Sequence, residues 1–287
     1  MRCLGEEKFT KKFFLYCYLK IFINLKIKKM KKIFLILFSA VFLNTAFAQE
    51  EPYLLRTHYI EVEGDVGAFI KANNEFYKKM AQLAVEDGKW EGWQMWQSYT
   101  NQNQFVFFHH FKNPKQFEDW NWDWTSDKNI KKARVERPDE SAFKMVFGAD
   151  IVYQMISTAL SGTDSEYFIM NEYKAPNWIS FIENNKLWGE LYVTPQLEKN
   201  PGLNWGFGMT IMNNHTENNK MINYNGVSWD GFPSLADLIN AQAYSEGKWD
   251  SDINFQAFSK AVNELDLGNF SDAKKQSVWR VLDTSWD

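Results

Sequence analysis

Four histidines are the residues of this sequence best suited to moving a proton near neutral pH: His58, His109, His110 and His215. An imidazole has an unperturbed pKa of about 6.5, so it can act as a base or as a ligand. His58 and His109 lie in runs predicted to be strands, on faces that they share with apolar residues. Either could therefore point into a cavity, and these two are the candidate catalytic residues. A hydrogen-bonded structural role is the alternative for each.

The spacing of these residues does not predict a metal site. His109 and His110 are adjacent, and successive side chains of a strand point to opposite faces. Neither H-E-x-x-H nor H-x-H occurs. Both cysteines, Cys3 and Cys17, precede a predicted cleavage site, so the exported chain would have no thiolate ligand, disulfide or cysteine nucleophile. We expect no metal and no cofactor.

Tryptophan is the compositional outlier. All 13 tryptophans follow residue 89, and six lie between Trp90 and Trp124. In a cavity, indole rings stack on flat ligands or on the apolar face of a sugar. Core packing is the alternative, and it is favoured for Trp93 and Trp205 in the central strands. The candidate ligand-binding residues are Arg56, Trp93, Trp96, Trp205 and Tyr224.

The segment from Trp120 to Trp124 (WNWDW) holds three rings that are hard to bury together. It predicts either an exposed carbohydrate-binding platform or a packing lid. Carboxylates are plentiful, but spacing singles out no pair. The sequence contains no nucleophile elbow, phosphate-binding loop or dinucleotide fingerprint, so hydrolase, kinase and dinucleotide-binding functions have no support.

Residues 30–48 (MKKIFLILFSAVFLNTAFA) have the features of a secretory signal peptide. Two lysines precede an apolar run of about 11 residues, which is too short to span a membrane, and Ala46-Phe47-Ala48 is a typical cleavage site. We expect an exported protein, periplasmic or secreted, without a membrane span after cleavage. Residues 1–29 are interpreted as an over-extended start, with a long basic leader as the alternative.

Beyond residue 48 the chain is acidic, with 22 basic and 34 acidic residues and a formal charge of −12. Such a surface repels phosphate backbones, so nucleic-acid binding is disfavoured. A hydrophobic content of 45% is ample for a packed core. These features favour a small molecule as the partner, and they do not predict the oligomeric state.

The chain after the leader shows one order of elements twice, in predicted repeats at 49–164 and 165–287. Each repeat has a strand, an amphipathic helix, two strands and a helix that follows a proline. In the first repeat, Asp65 is a predicted N-cap and Gly88 a predicted helix end. Trp93 matches Trp205 at an offset of 112 residues. Additional helical segments are expected at 127–160 and 252–282.

Both faces of the predicted strands are apolar. In QFVFFHHF, Phe105 and Phe107 point one way while Val106 and Phe108 point the other. An antiparallel sheet with one wet face would alternate apolar and polar residues. We therefore predict an α+β fold of two ferredoxin-like β-α-β-β repeats, whose antiparallel sheets pack face to face as an intramolecular α/β barrel with a cavity between them.

This pattern resembles the dimeric α/β-barrel superfamily, which includes antibiotic-biosynthesis monooxygenases, stress-responsive barrels and NIPSNAP-like proteins. The resemblance rests on element order and on a central strand that contains Trp and Gly. It implies a small-molecule cavity, used in some members for cofactor-free oxidation or haem breakdown. The leading hypothesis is an exported small-molecule-binding barrel. The alternatives are a cofactor-independent monooxygenase or haem-degrading enzyme, and an envelope protein that binds carbohydrate through exposed tryptophans.

Overall fold

The structure is a computed structural model that describes residues 51–120, 123–213, 224–243, 246–268, 271 and 273–286. The predicted leader at 30–48, the segment before it, Trp122 and His215 lie outside the described residues. Within the part of the chain that is described, no helix has both the length and the apolar character needed to cross a membrane.

The elements follow one order in both halves of the chain: strand, helix with a π-helical turn, two strands, two helices, strand. The first half contains β1 (Leu54–Gly64), α1 (Val66–Ala72), the turn π1 (Asn73–Tyr77), α2 (Lys78–Glu86), β2 (Gly92–Ser98), β3 (Gln104–Phe111), α3 (Pro114–Glu118), α4 (Asp127–Ala133) and β4 (Phe143–Leu160). The second half contains β5 (Tyr167–Lys174), α5 (Trp178–Leu187), the turn π2 (Trp188–Val193), α6 (Thr194–Leu197), β6 (Asn204–Asn213), β7 (Gly226–Phe232), α7 (Leu235–Gln242), α8 (Ile253–Glu264) and β8 (Ala273–Trp286).

Local sequence signals set the ends of the first helical stretch as predicted. Asp65 caps α1, because its Oδ1 accepts a hydrogen bond of 3.0 Å from Ala68 N. Gly88 follows α2 with a φ of 66°, a left-handed conformation that glycine adopts without a steric penalty. Both predictions are confirmed.

Two expected helical segments are in large part strands, and those expectations were wrong. Residues 127–160 form only the short helix α4 before the 18-residue strand β4, and residues 252–282 form α8 before most of β8. Both strands are rich in β-branched and aromatic residues, and β4 contains Val146, Ile151, Val152 and Tyr153. Apolar residues on both faces of a barrel strand obscure the alternation that would distinguish strand from helix.

The eight strands form a closed barrel in the order β1-β3-β2-β8-β5-β7-β6-β4, and every neighbouring pair is antiparallel. Within each half, the strands lie side by side in the order fourth, first, third and second along the chain. The barrel closes where β2 pairs with β8 and β4 pairs with β6. The two halves are therefore joined edge to edge by hydrogen bonds as well as face to face by packing.

Apolar side chains fill both sides of the barrel wall, as the two-faced strands predicted. Val106 and Phe108 belong to an interior cluster with Tyr59 and Trp229. Phe105 and Phe107 point outward and pack with residues of the first helical layer. An equivalent outer cluster in the second half includes Trp205, Phe207, Phe181, Val193 and Ala175.

Candidate functional site

Four polar side chains lie together on the outer, helix-facing side of the first half. In the strand register Arg56 faces His109 of β3, and His58 faces Asp150 of β4. All four share a face with Val152, which packs in the outer core. The alternation of side chains along each strand thus brings the two predicted histidines next to a cation and a carboxylate.

Asp150 is the centre of this group. Its Oδ1 lies 2.5 Å from Arg56 Nη2 and 3.0 Å from His58 Nδ1. The Arg56 side chain is only 5% exposed, whereas that of His58 is 28% exposed. Arg56 also lies over the Trp120 ring, with Cζ 4.5 Å from the ring centroid.

The electrostatics keep Asp150 ionised. Burial alone would raise its pKa, but the hydrogen bond to His58 and the charge of Arg56 outweigh burial, so the pKa is below its usual value. An ionised carboxylate only accepts hydrogen bonds, so His58 Nδ1 must donate to it. In a neutral His58 the proton therefore sits on Nδ1, which fixes the tautomer of the ring.

His109 is enclosed instead. Its ring packs edge-on against Trp90 at a centroid distance of 4.6 Å and lies 5.8 Å from Trp120. Burial lowers its pKa well below the usual range, and the charge of Arg56 lowers it further. A neutral His109 can accept a hydrogen bond from Arg56 Nη1 at 3.5 Å. This geometry favours the structural alternative for His109, that of holding Arg56 in place.

A groove of about 1330 Å³ opens beside the Arg56–Asp150 pair, outside the barrel. Eight of its 15 lining residues are apolar or aromatic, and its two cations are balanced by two carboxylates. The lining residues are Arg56, Phe117, Glu118, Trp120, Asp150, Val152, Lys174, Ala175, Pro176, Thr210, Ile211, Met212, Asn213, Tyr224 and Asn225. The groove can take an uncharged, mostly apolar molecule and offer it polar contacts at one wall.

The predicted ligand-binding residues separate into three places. Arg56 and Tyr224 line the groove. Trp93 and Trp205 are buried in the outer cores of the first and second halves. Trp96 points into the barrel, where it stacks on Phe168 at a centroid distance of 4.3 Å.

The space between the sheets, where the sequence placed the cavity, holds packed side chains. The interior cluster contains Leu55, Tyr59, Trp96, Val106, Phe108, Ala149, Ile151, Tyr153, Met170, Val227, Trp229 and Trp279. The groove lies on the other, outer side of the barrel wall. Trp120, expected in an exposed platform or a lid, is only 9% exposed. It packs against Phe111 and Phe117, as a lid residue would.

Sequence analysis missed three residues that line the groove, Asp150, Val152 and Met212. Asp150 and Val152 were missed because β4 was predicted to be helical. Met212 was missed because the exposed end of a strand carries no sequence motif. A charged residue inside an apolar strand would have been the signal for Asp150. Among the described residues, no group of three or more His, Cys, Asp and Glu side chains is placed to hold a metal ion.

Comparisons with known proteins find similarity at the level of structure. No family model and no curated protein matches the chain. A proposed monooxygenase from Fusobacterium nucleatum is similar at 9% identity and a TM-score of 0.49, over 83% of this chain and 95% of that chain. A proposed monooxygenase from Lactobacillus acidophilus is similar at 8% identity and a TM-score of 0.49, over 82% and 97%.

A chlorite dismutase from Candidatus Nitrospira defluvii is similar at 9% identity and a TM-score of 0.39, over 80% of this chain and 91% of that chain. Similarities this low transfer no activity and no residue role to this chain. The chemistry available to this protein is therefore that of its own side chains.

Proposed function

We propose that this protein binds a small, uncharged, mostly apolar molecule in the groove on the outer wall of the barrel. The observation that carries the proposal is a groove of about 1330 Å³ whose apolar walls end at a buried Arg56–Asp150 pair stacked on Trp120. Pockets of this kind bind through apolar area and take their specificity from a few fixed polar groups. The pair is already neutralised, so a charged ligand would gain little from it.

The test uses 1-naphthol, an uncharged planar fluorophore, titrated into residues 49–287. Met212, which is 47% exposed, lines the groove, so Met212→Trp should fill it and weaken binding about tenfold or more. Trp120→Ala should also weaken binding. Tyr99→Ala is the matched control, since Tyr99 is an exposed aromatic residue that does not line the groove. Binding that is absent, or equal in all four proteins, would exclude the groove as the site.

A second candidate function is proton abstraction from a molecule that contacts the partly exposed edge of His58 beside the groove, and the His58–Asp150 hydrogen bond is the observation that favours it. A carboxylate that fixes the tautomer and the orientation of a histidine ring is the usual support for a histidine base. With anthrone as the substrate, the C–H proton would pass to His58 and the resulting carbanion would form a C–O bond with O₂. Protonation to the hydroperoxide and loss of water would then give anthraquinone, so that O₂ is the oxidant and no cofactor is needed. Cofactor-free oxidation is one of the two enzyme functions that the sequence analysis kept as an alternative to ligand binding.

Oxygen uptake with anthrone, an acidic C–H compound, tests this candidate. The account expects His58→Asn to lose uptake while naphthol binding persists. His110→Gln, which changes a histidine on the opposite face of β3, should leave uptake unchanged. Uptake that survives His58→Asn would exclude His58 as the base, and a wild-type protein without uptake would leave ligand binding as the function.

Haem chemistry does not fit the described residues. His109 is enclosed between Trp90 and Trp120, and His110 Nδ1 is hydrogen-bonded to the Tyr53 hydroxyl at 3.0 Å. His58 does not line the groove. None of the described histidines is therefore placed as an axial haem ligand in the groove.

Two further proposals concern the whole chain. Residues 30–48 direct export and are removed, which N-terminal sequencing of the protein from the cell envelope would test. The identical order of elements in the two halves supports their origin as ferredoxin-like repeats, at 49–164 and 165–287. That order and the strand order also support membership of the dimeric α/β-barrel superfamily.

A further inference from the structure

A second polar cluster occupies, in the second half, the same strand positions as the Arg56–Asp150 group. Leu54 of β1 faces Phe111 and Gln154, and Tyr167 of β5 likewise faces Phe232 and Arg280. Leu54 and Tyr167 are therefore equivalent residues of the two halves. The residues four positions further along β1 and β5 are equivalent as well. The equivalent residues are His58 and Asn171 in the first strands, and Asp150 and Gln276 in the strands paired with them.

The third strands extend the correspondence. Trp93 faces His109 across β2 and β3, and Trp205 faces Asp230 across β6 and β7. The second half therefore has Asn171, Asp230 and Gln276 where the first half has His58, His109 and Asp150. The chain keeps polar side chains on this outer face in both halves, but the second set consists of two amides and one carboxylate.

Hydrogen bonds order the second cluster. Gln276 Nε2 donates to Asn171 Oδ1 at 2.9 Å, and Asn171 Nδ2 donates to Asp230 Oδ2 at 2.8 Å. Within the part of the chain that the structure describes, Asp230 Oδ1 has no hydrogen bond. Asn171 is buried, Asp230 is half-buried and Gln276 is exposed, so the network runs from the interior of the layer to solvent.

An aromatic pair and a cation accompany this network. Trp188 and Tyr192 of π2 stack with a centroid distance of 4.2 Å, and both are half-buried. Gly189 of the same turn packs on the Trp205 indole, and Trp205 faces Asp230 across β6 and β7, so the aromatic pair lies over this pair of strands. Burial raises the pKa of Tyr192 to about 12, and the charges of Asp252 and Asp230 raise it in the same direction. Burial raises the pKa of Asp230 to about 6, while the hydrogen bond from Asn171 and the charge of Lys274 oppose that rise. Lys274 of β8 is an exposed cation whose Nζ lies 5.7 Å from the Tyr173 ring centroid.

We infer that this cluster is a second ligand site, distinct from the groove, and that it takes a neutral polyhydroxylated molecule such as a sugar. A carboxylate oxygen accepts from hydroxyl groups, while an exposed amide both donates and accepts. An aromatic ring supplies a face for the C–H side of a sugar ring. Because Lys274 offsets Asp230, neither a cation nor an anion is favoured over a neutral ligand. None of the residues of this site belongs to the tryptophan segment from Trp120 to Trp124, which the sequence analysis considered as a carbohydrate-binding platform.

Saturation-transfer NMR of residues 49–287 with cellobiose, maltose and myo-inositol tests the site. At least one probe should bind the wild-type protein, and Asp230→Asn and Tyr192→Ala should each weaken that binding about tenfold. Glu198→Gln, an equal change of charge at an exposed carboxylate on the same half, is the control and should bind as the wild type does.

Near-UV circular dichroism checks that each variant is folded. Should Asp230→Asn not fold, Gln276→Ala at the exposed end of the network replaces it. No binding by any of the three probes, or binding that the site variants leave unchanged, would overturn the inference. The 1-naphthol titration reports on the groove and the NMR experiment on the second cluster. A negative NMR result therefore leaves the proposed function unaffected, and a negative naphthol titration leaves the second site unaffected.

Discussion

At the scale of single residues, the site depends on a buried ion pair. Arg56 and Asp150 have side chains that are 5% and 15% exposed, so each charge has lost most of its hydration. The attraction between two such charges offsets that loss only while both are present. The pair therefore fixes the geometry of the groove wall more than it adds net stability.

Asp150→Ala should destabilise the protein by about 3 kcal/mol, because Arg56 is left buried without its partner. The double variant Arg56→Met, Asp150→Leu should be more stable than Asp150→Ala, since no buried charge remains. Urea unfolding measures both free energies. Equal destabilisation by the single and double variants would contradict the assignment of a buried, coupled pair.

His109 makes stability depend on pH. Its folded pKa is held well below the usual range by burial, whereas the unfolded chain takes up a proton near pH 6.5. The stabilising contribution of a neutral His109 is therefore complete above about pH 6.5 and is lost as the pH falls below that value.

We expect the free-energy advantage of the wild type over His109→Gln to shrink between pH 7.5 and pH 5, by up to ~1.4 kcal/mol per pH unit below 6.5. Urea titrations of both proteins at several pH values measure the difference, which removes the contribution of the other titrating groups. An advantage that is independent of pH would show that His109 is not buried as a neutral ring.

At the scale of elements, a glycine allows the second helical layer to approach the sheet closely at Trp205. A Cβ on Gly189 of π2 would lie 2.5 Å from Trp205 Cζ3, so the turn and the indole are in direct contact. Trp205 is buried in the outer core that this contact closes. The close approach explains why a glycine stands in the middle of a helical stretch.

Gly189→Ala should destabilise the protein by about 1–3 kcal/mol, because the added methyl group forces the turn away from Trp205. Gly268→Ala is the matched control, since a Cβ there meets no atom within 4 Å and its φ is not positive. Thermal unfolding compares the two. Similar melting temperatures would contradict the packing described for π2.

At this scale, the sequence predicted the features that depend on local signals, such as the ends of helices. Asp65 and Gly88 determine their helix ends through local hydrogen bonding and backbone conformation, so both were predictable. β4 was not, because its two apolar faces are explained only by a barrel that closes around it. The wrong assignment concealed Asp150, which is the hydrogen-bond partner of His58.

At the scale of the molecule, the barrel is shared between the halves. The edge strands of the first half, β2 and β4, pair with β8 and β6 of the second. Neither half alone can satisfy its edge hydrogen bonds, and unpaired edges associate. The interior cluster combines aromatic residues of both halves, and no single strand of the sequence indicates how they pack together.

Residues 49–164 and 165–287 produced as separate chains should therefore assemble into a 1:1 complex that reproduces the barrel. Each half alone should self-associate or stay unfolded. Light scattering after size-exclusion chromatography and circular dichroism measure both states. A stable, folded monomer of either half would show that edge pairing between halves is dispensable.

The most direct test of where this protein binds its ligand is native mass spectrometry of the chain purified from its own cells, as the wild type and as Met212→Trp. The account predicts a small-molecule adduct on the wild type that is lost when the groove is filled. An adduct retained equally by both proteins would place the ligand elsewhere and contradict the outer groove as the binding site.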